Sequence, residues 1–242
     1  MCIRDRTYPD TEEATLKDIN VDIKGMQKIG IIGASGSGKS TLINLIGGFL
    51  SPDKNDQIIL NGKSLPHLNQ AAWQKNFLYI PQNPYLFHAT LADNISFYVA
   101  DATTEAIENA AEKAGLSDWI KTLPDGLNTM IGEGARTVSG GQAQRIALAR
   151  AFLDPSRKVL LFDEPTAHLD IETEASLKKD ILPVFEDHLV FFATHRLHWI
   201  GEMDYVLVMD HGRVVEQGTP DELAKRNGDY VKLRSEMEAA DL

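Results

Sequence analysis

The chain has 242 residues, with 24 Lys+Arg against 35 Asp+Glu and a formal net charge of −11. An acidic chain is a poor partner for nucleic acid, whose protein affinity rests on cations meeting phosphates, and its single cysteine, Cys2, rules out a disulfide-built fold. No apolar run reaches the roughly 18 residues that a membrane span needs, and no signal peptide is apparent, so the expectation is one cytosolic domain over residues 1–242.

Residues 1–6 show no periodicity and are left unassigned, outside the fold, as a truncation junction or a sequence artefact. Tyr8 precedes a Pro-Asp turn, and residues 16–23 alternate like a half-buried strand. Residues 28–32 read as a buried strand and residues 40–46 as a helix, which Gly47-Gly48 can end. Between them stands Gly33-Ala34-Ser35-Gly36-Ser37-Gly38-Lys39-Ser40, the pattern G-x-x-x-x-G-K-[ST] in its strand–loop–helix context. Glycines let successive backbone N–H groups point into one concavity. The helix N-terminus adds its partial positive charge. The stretch from Gly33 to Thr41 is thus a cradle for a nucleoside triphosphate. Lys39 reaches the β- and γ-phosphates, and the Ser40 hydroxyl takes a Mg2+ position.

Residues 57–60 lead into Asn61-Gly62, a hairpin-turn signal. Residues 77–80 form another short strand, stopped at Pro81 and followed by Gln82. From residue 83 to 151 strand signals disappear, and helices are predicted over 104–114, capped by Gly115, and over 140–153. This reads as a helical subdomain, residues 84–153, inserted between two strands of a core sheet. Residues 159–162 are a continuous apolar strand ending at Asp163-Glu164, the pattern of a parallel strand covered on both faces. A helix over 173–182 is stopped by Pro183. Residues 189–193 are the next buried strand and end at Thr194-His195. Residues 205–209 and 213–216 flank Asp210-His211-Gly212 as a hairpin. Thr219-Pro220-Asp221-Glu222 is a capping box with proline at the first helical position, and the tail after Asn227 is helical.

The glycine loop, Gln82, Asp163-Glu164 and His195 each directly follow a strand. In an open parallel sheet such positions converge at the carboxyl edge, where ligands bind. The expected fold is α/β, a P-loop NTPase core with a mostly parallel sheet. Its parts are those of phosphoryl transfer to water: Asp163 holds Mg2+, and Glu164 polarises the attacking water as general base.

Val138-Ser139-Gly140-Gly141-Gln142 resembles the signature motif of ATP-binding-cassette (ABC) ATPases. With the P-loop it makes the resemblance specific, over residues 8–236. The ABC ATPase fold that this implies adds an antiparallel β subdomain to the core and the helical subdomain. Tyr8 resembles the aromatic residue that stacks on adenine, and Gln82 the Q-loop glutamine, which contacts Mg2+ or water and couples the site to a membrane domain. Asp170, in Ala167-His168-Leu169-Asp170, resembles the D-loop aspartate, and His195 the switch histidine on the γ-phosphate. Lys39, Gln82, Glu164 and His195 are the implied catalytic set, and Ser40, Gln82 and Asp163 the implied Mg2+ set. Ser139, Gly140, Gly141 and Gln142 open a helix whose N-terminus is an anion site, which in this family serves the ATP on a facing subunit. Val138 stands where the family usually has leucine.

A translation-factor type carries two cassettes, and a chromosome type interrupts its cassette with coiled coil. This sequence has one uninterrupted cassette, so a transporter ATPase remains. Ile131-Gly132-Glu133-Gly134-Ala135-Arg136 resembles the X-loop of exporters, with Met130 and Ala135 departing from it. The segments 163–170 and 193–199 are similar to the CydD/CydC group, paired exporter subunits that move cysteine or glutathione in support of cytochrome bd assembly. The resemblance implies a transmembrane domain and a second ABC ATPase domain as partners, no nucleic acid, and a place at the cytoplasmic face of the cell membrane. A regulatory nucleotide-binding subunit and an importer ATPase are the alternatives.

Overall fold

In the computed structural model the described residues are 2–7, 14–52, 58–166, 169 and 171–240. They begin with β1 (Cys2–Thr7), β2 (Ala14–Asn20), β3 (Lys28–Gly33), α1 (Lys39–Ile46), β4 (Ile58–Leu60), β5 (Lys63–Leu65), α2 (Ala71–Gln74) and β6 (Phe77–Ile80). Next come β7 (Ala89–Thr90), α3 (Leu91–Ile95), α4 (Thr104–Lys113), α5 (Ser117–Lys121), β8 (Met130–Ile131), α6 (Gly140–Leu153), β9 (Val159–Asp163) and α7 (Ile171–Phe185). The last are β10 (Leu189–Ala193), α8 (Leu197–Ile200), β11 (Tyr205–Asp210), β12 (Arg213–Gly218), α9 (Pro220–Arg226) and α10 (Asp229–Ala240).

The chain divides into two units. The first takes Met1–Tyr79, Val159–Glu164 and His188–Leu242, and the second Ile80–Lys158 and Pro165–Asp187. The strands with unbroken apolar sequence occupy the middle of a six-stranded sheet of order β12-β11-β3-β10-β9-β6. There β11, β3, β10 and β9 run parallel, and β12 closes one edge antiparallel to β11. The register sets Ala193 beside both Ile31 and Asp163, so β3, β9 and β10 bring their carboxyl ends together. Leu42, Leu45 and Ile46 of α1 pack with Ile29, Ile31 and Leu161 of the strands in one apolar core. Each such side chain contributes about 1.5–3 kcal/mol by leaving water. Two antiparallel ladders, β1–β2 and β4–β5, accompany the sheet. The second of them turns at Asn61-Gly62 with φ of 50° and 74°, as the dipeptide predicts.

The second unit is built mainly of α3–α7. Helix α4 is capped by the Thr103 side chain, which accepts from the Ala106 N–H. The whole is the α/β architecture read from the sequence, with a mostly parallel sheet, small antiparallel ladders and helices. No helix among the described residues is long and apolar enough to cross a membrane.

Three local expectations differ from the structure. Cys2–Thr7, where the sequence shows no periodicity, pairs with β2. Strands do not vanish after residue 83: Ala89 pairs with Ile131 and Thr90 with Met130. Two-residue strands are too short for alternation to be seen. Helix α7 runs through Pro183 to Phe185 rather than stopping at 182. The proline forfeits one helical N–H near the C-terminal end, and Ile181 and Phe185 on either side are fully buried.

Candidate functional site

The loop after β3 has a backbone that side chains would obstruct. Gly38, the N-cap of α1, sits at φ 105° with no side-chain cap. At Gly33 a Cβ would strike the Met209 carbonyl and the Ser37 hydroxyl. The first N–H groups of α1 therefore lack the usual side-chain acceptor. Ser37 Oγ is buried and has no hydrogen-bond partner. Lys39, only 5% exposed, folds back so that Nζ donates to the carbonyls of Gly33 (3.0 Å) and Ala34 (3.1 Å). A buried ammonium, an orphaned hydroxyl and an uncapped helix end fit a polyphosphate. Ala34, Ser35 and Gly36 form the exposed crest of the loop, and Thr41 is buried behind it.

Two carboxylates close the site from β9. Ser40 Oγ donates to Asp163 Oδ1 at 2.8 Å, and the Tyr79 hydroxyl lies 3.4 Å from Oδ2. Burial raises the Asp163 carboxyl above its ordinary value, with the Ser40 bond opposing. Burial likewise pushes the Tyr79 phenol up, and the Asp163 charge adds to it. Among the described residues no three His, Cys, Asp or Glu side chains gather as a metal cage. One carboxylate and one hydroxyl suit Mg2+, which keeps much of its shell as water and substrate phosphate.

Glu164 sits in the left-handed region at φ 48°, a strained position for a side-chain residue. Its N–H donates to the Ala193 carbonyl at 3.0 Å. The turn places Glu164 Oε1 3.3 Å from Lys39 Nζ and Oε2 3.4 Å from His195 Nδ1. The His195 hydrogen bond, with the Lys39 charge, pulls the Glu164 carboxyl down to about 2 against the opposing effect of burial.

Lys39, Ser40, Asp163, Glu164 and His195 thus meet at one sheet edge of the first unit. Tyr79 joins them unforeseen, since nothing local in a half-buried strand tyrosine points to an aspartate 84 positions on. Gln82 belongs to the second unit, as do Ser139, Gly140, Gly141 and Gln142. There Ser139 Oγ accepts from the Gln142 N–H at 3.3 Å, and Gln142 Oε1 accepts from the Ser139 N–H at 3.0 Å. Gly140 is open, and Gly141 lies close against Leu169 and Thr173. These residues border a cavity of about 370 Å³ that Trp119 and Arg145 also line. Tyr8 and Asp170, with Ala167 and His168, lie outside the described residues.

The ABC transporter family model matches residues 16–167. The chain is 58% identical, over 90% of its length and 38% of the relative, to the glutathione/L-cysteine transport system ATP-binding/permease protein CydC of Bacillus subtilis. It is 37% identical to CydC of Escherichia coli, over 94% of this chain and 39% of that protein. An ATP-dependent lipid A-core flippase of Pseudomonas fluorescens is 40% identical over 95% of this chain and 38% of its own length. Among solved structures, a bacterial Atm1-family ABC exporter with ATP bound superposes with a TM-score of 0.86 at 30% identity, over 97% of this chain and 41% of that one. The chain spans about two fifths of the length of these relatives.

Proposed function

The chain belongs to the ABC transporter family as an ATPase domain of exporter type, and from that premise we propose how its residues hydrolyse ATP, with which partners, and for which cargo. The observation that carries the chemistry is Glu164 held between Lys39 and His195 beside the Ser40–Asp163 pair. The uncapped start of α1 and Lys39 hold the phosphates. Ser40 and Asp163 would hold Mg2+, which when bound would offset the charge developing on the transferred phosphoryl group.

Glu164 is the general base. While its carboxylate is paired with Lys39 and His195 it is a weak one, at about 2. Phosphate in the loop competes with Glu164 and with the Gly33 and Ala34 carbonyls for the Lys39 ammonium. Drawing that cation away raises the proton affinity of Glu164, while the His195 hydrogen bond, the larger cause of its low value, still holds it down. His195 remains as hydrogen-bond partner and meets the γ-phosphate. Tyr8 stacks on adenine, and Asp170 completes the D-loop.

The segment 84–153 is the helical subdomain, and its Ser139–Gln142 end serves the nucleotide of a second ABC ATPase domain. The chain sits at the cytoplasmic face of the membrane, and its partner there is a transmembrane domain. Supporting this, Tyr85, Phe87, Phe97 and Tyr98 form a chain of ring contacts 4.6–5.0 Å apart, all four exposed and Tyr85 at 61%. An exposed aromatic patch of this kind marks a docking surface. The 58% identity to CydC supports cysteine or glutathione as cargo. The test is ATP turnover of the intact transporter in vesicles, with and without Mg2+, alongside uptake of radiolabelled cysteine and glutathione. Mg2+-dependent turnover stimulated by either thiol is expected. Turnover that survives chelation of Mg2+ overturns the metal assignment, and stimulation by lipid A alone overturns the cargo.

A further inference from the structure

Gln144 of α6 is buried at 3% exposure, and no part of the chemistry above uses it. Its Nε2 donates to two successive backbone carbonyls, Pro81 at 3.1 Å and Gln82 at 2.7 Å. All three residues belong to the second unit. Two carbonyl acceptors require the amide NH2, which is the one neutral side-chain group of this length that supplies two donors. The neighbouring Arg145 faces elsewhere, donating to the Ala114 carbonyl, to Ser176 and to Asp180. This stretch of α6 thus reaches the 81–82 loop through the Gln144 amide.

Gln144 Oε1 is buried without a partner. The residue lines a cavity of about 90 Å³ together with Gln82, Asn83, Pro84 and Leu169. Close-packed interiors resist small shifts, so free space beside the loop lets it move while the amide keeps its hold. The unpaired oxygen is a ready acceptor for a backbone N–H in a shifted arrangement.

We propose that Gln144 is a positioning residue that ties the Gln82 loop to the signature helix, so that movement of one is passed to the Ser139 end of the other. This rests on the ATPase reading given above. The amide fork makes the Gln82 loop and the Ser139 end of the helix move together.

The test uses the intact transporter, with steady-state turnover of Gln144→Glu, Gln82→Ala and the double variant. Glutamate keeps the shape but cannot donate to two carbonyls when ionised. Gln144→Glu is expected to lower kcat about tenfold with the KM for ATP within about twofold, because it does not touch nucleotide. The double variant is expected to be no slower than the slower single variant, since both cut one link. A kcat within about twofold of the parent, or losses that multiply in the double variant, overturns the proposal. A purely structural bond would give the multiplying result. If Gln144→Glu fails to fold, Gln144→Met, similar in volume and uncharged, carries the same expectations. Lys39→Ala keeps the two readings apart. If it still turns over ATP, the ATPase reading falls; if it is inert while Gln144→Glu runs at the parental rate, only the coupling falls.

Discussion

Helices α1 and α6 both begin on glycine-rich, serine-bearing turns, yet their first turns are finished in opposite ways. Helix α1 starts on a left-handed glycine with no side-chain cap, a buried lysine and an orphaned Ser37 hydroxyl close by. Helix α6 starts on Ser139, which closes a capping box with Gln142 and uses two backbone donors internally. A cap of this kind stabilises a helix end by about 1 kcal/mol. The first helix end keeps its donors for a ligand, and the second completes itself. The Ser139 hydroxyl accepts from Gln142 and still has its own hydrogen to donate. A self-capped end offers a ligand that hydroxyl hydrogen and fewer free backbone donors than the uncapped start of α1.

The largest expected effect tests the α1 side. Lys39→Ala should weaken ATP binding and lower turnover by about 10³-fold, because it removes the buried charge that meets the phosphates. Unchanged affinity together with unchanged turnover would refute the role of α1.

Glu164→Gln sharpens the division between holding and cleaving. Glutamine keeps the shape but cannot accept the proton, so turnover should fall about 10²-fold while Mg2+ and ATP still bind. Retained nucleotide measured beside size-exclusion chromatography should show ATP uncleaved in an accumulated dimer. Turnover at the parental rate would remove Glu164 from the role of base.

Ser139→Ala tests the α6 side, with a smaller effect. Loss of the cap should cost about 1 kcal/mol, or about 2–4 °C in Tm for a chain of this length. Turnover should fall about tenfold, with the chain's own ATP affinity unchanged. An affinity loss matching the turnover loss would mean that both helix ends serve one nucleotide, and the contrast would break.

The smallest effect is in acid. Glu164 is held at about 2, below its ordinary 4.5, so its charge stabilises the fold above pH 4.5, and this is lost as pH falls through 2. Asp163 runs the other way: its raised value contributes stability below 3.8 that is lost as pH rises through the folded value. Thermal melts from pH 2 to 6 should therefore show a flatter acid limb for Glu164→Gln than for the parent. Identical limbs would mean that the Lys39–Glu164–His195 cluster adds nothing to stability.

Whatever is local could be read from the residues alone. Residues 189–193 and 140–153 coincide with β10 and α6 residue for residue, because an unbroken apolar run and a serine–glycine start are signals within about ten positions. The P-loop, the Asn61-Gly62 turn and the Thr219 capping box were legible for the same reason. Pro183 misled because a local breaker rule met the burial of Phe185. Strand order came from the folded chain, which sets β3 between β11 and β10, with β9 beyond, in a register that aligns their carboxyl ends. Folding alone put Ser40 on Asp163 across 123 positions and Tyr79 on the same carboxylate across 84. Such pairings follow from how strands pack and twist together, and no periodicity within a segment carries that information.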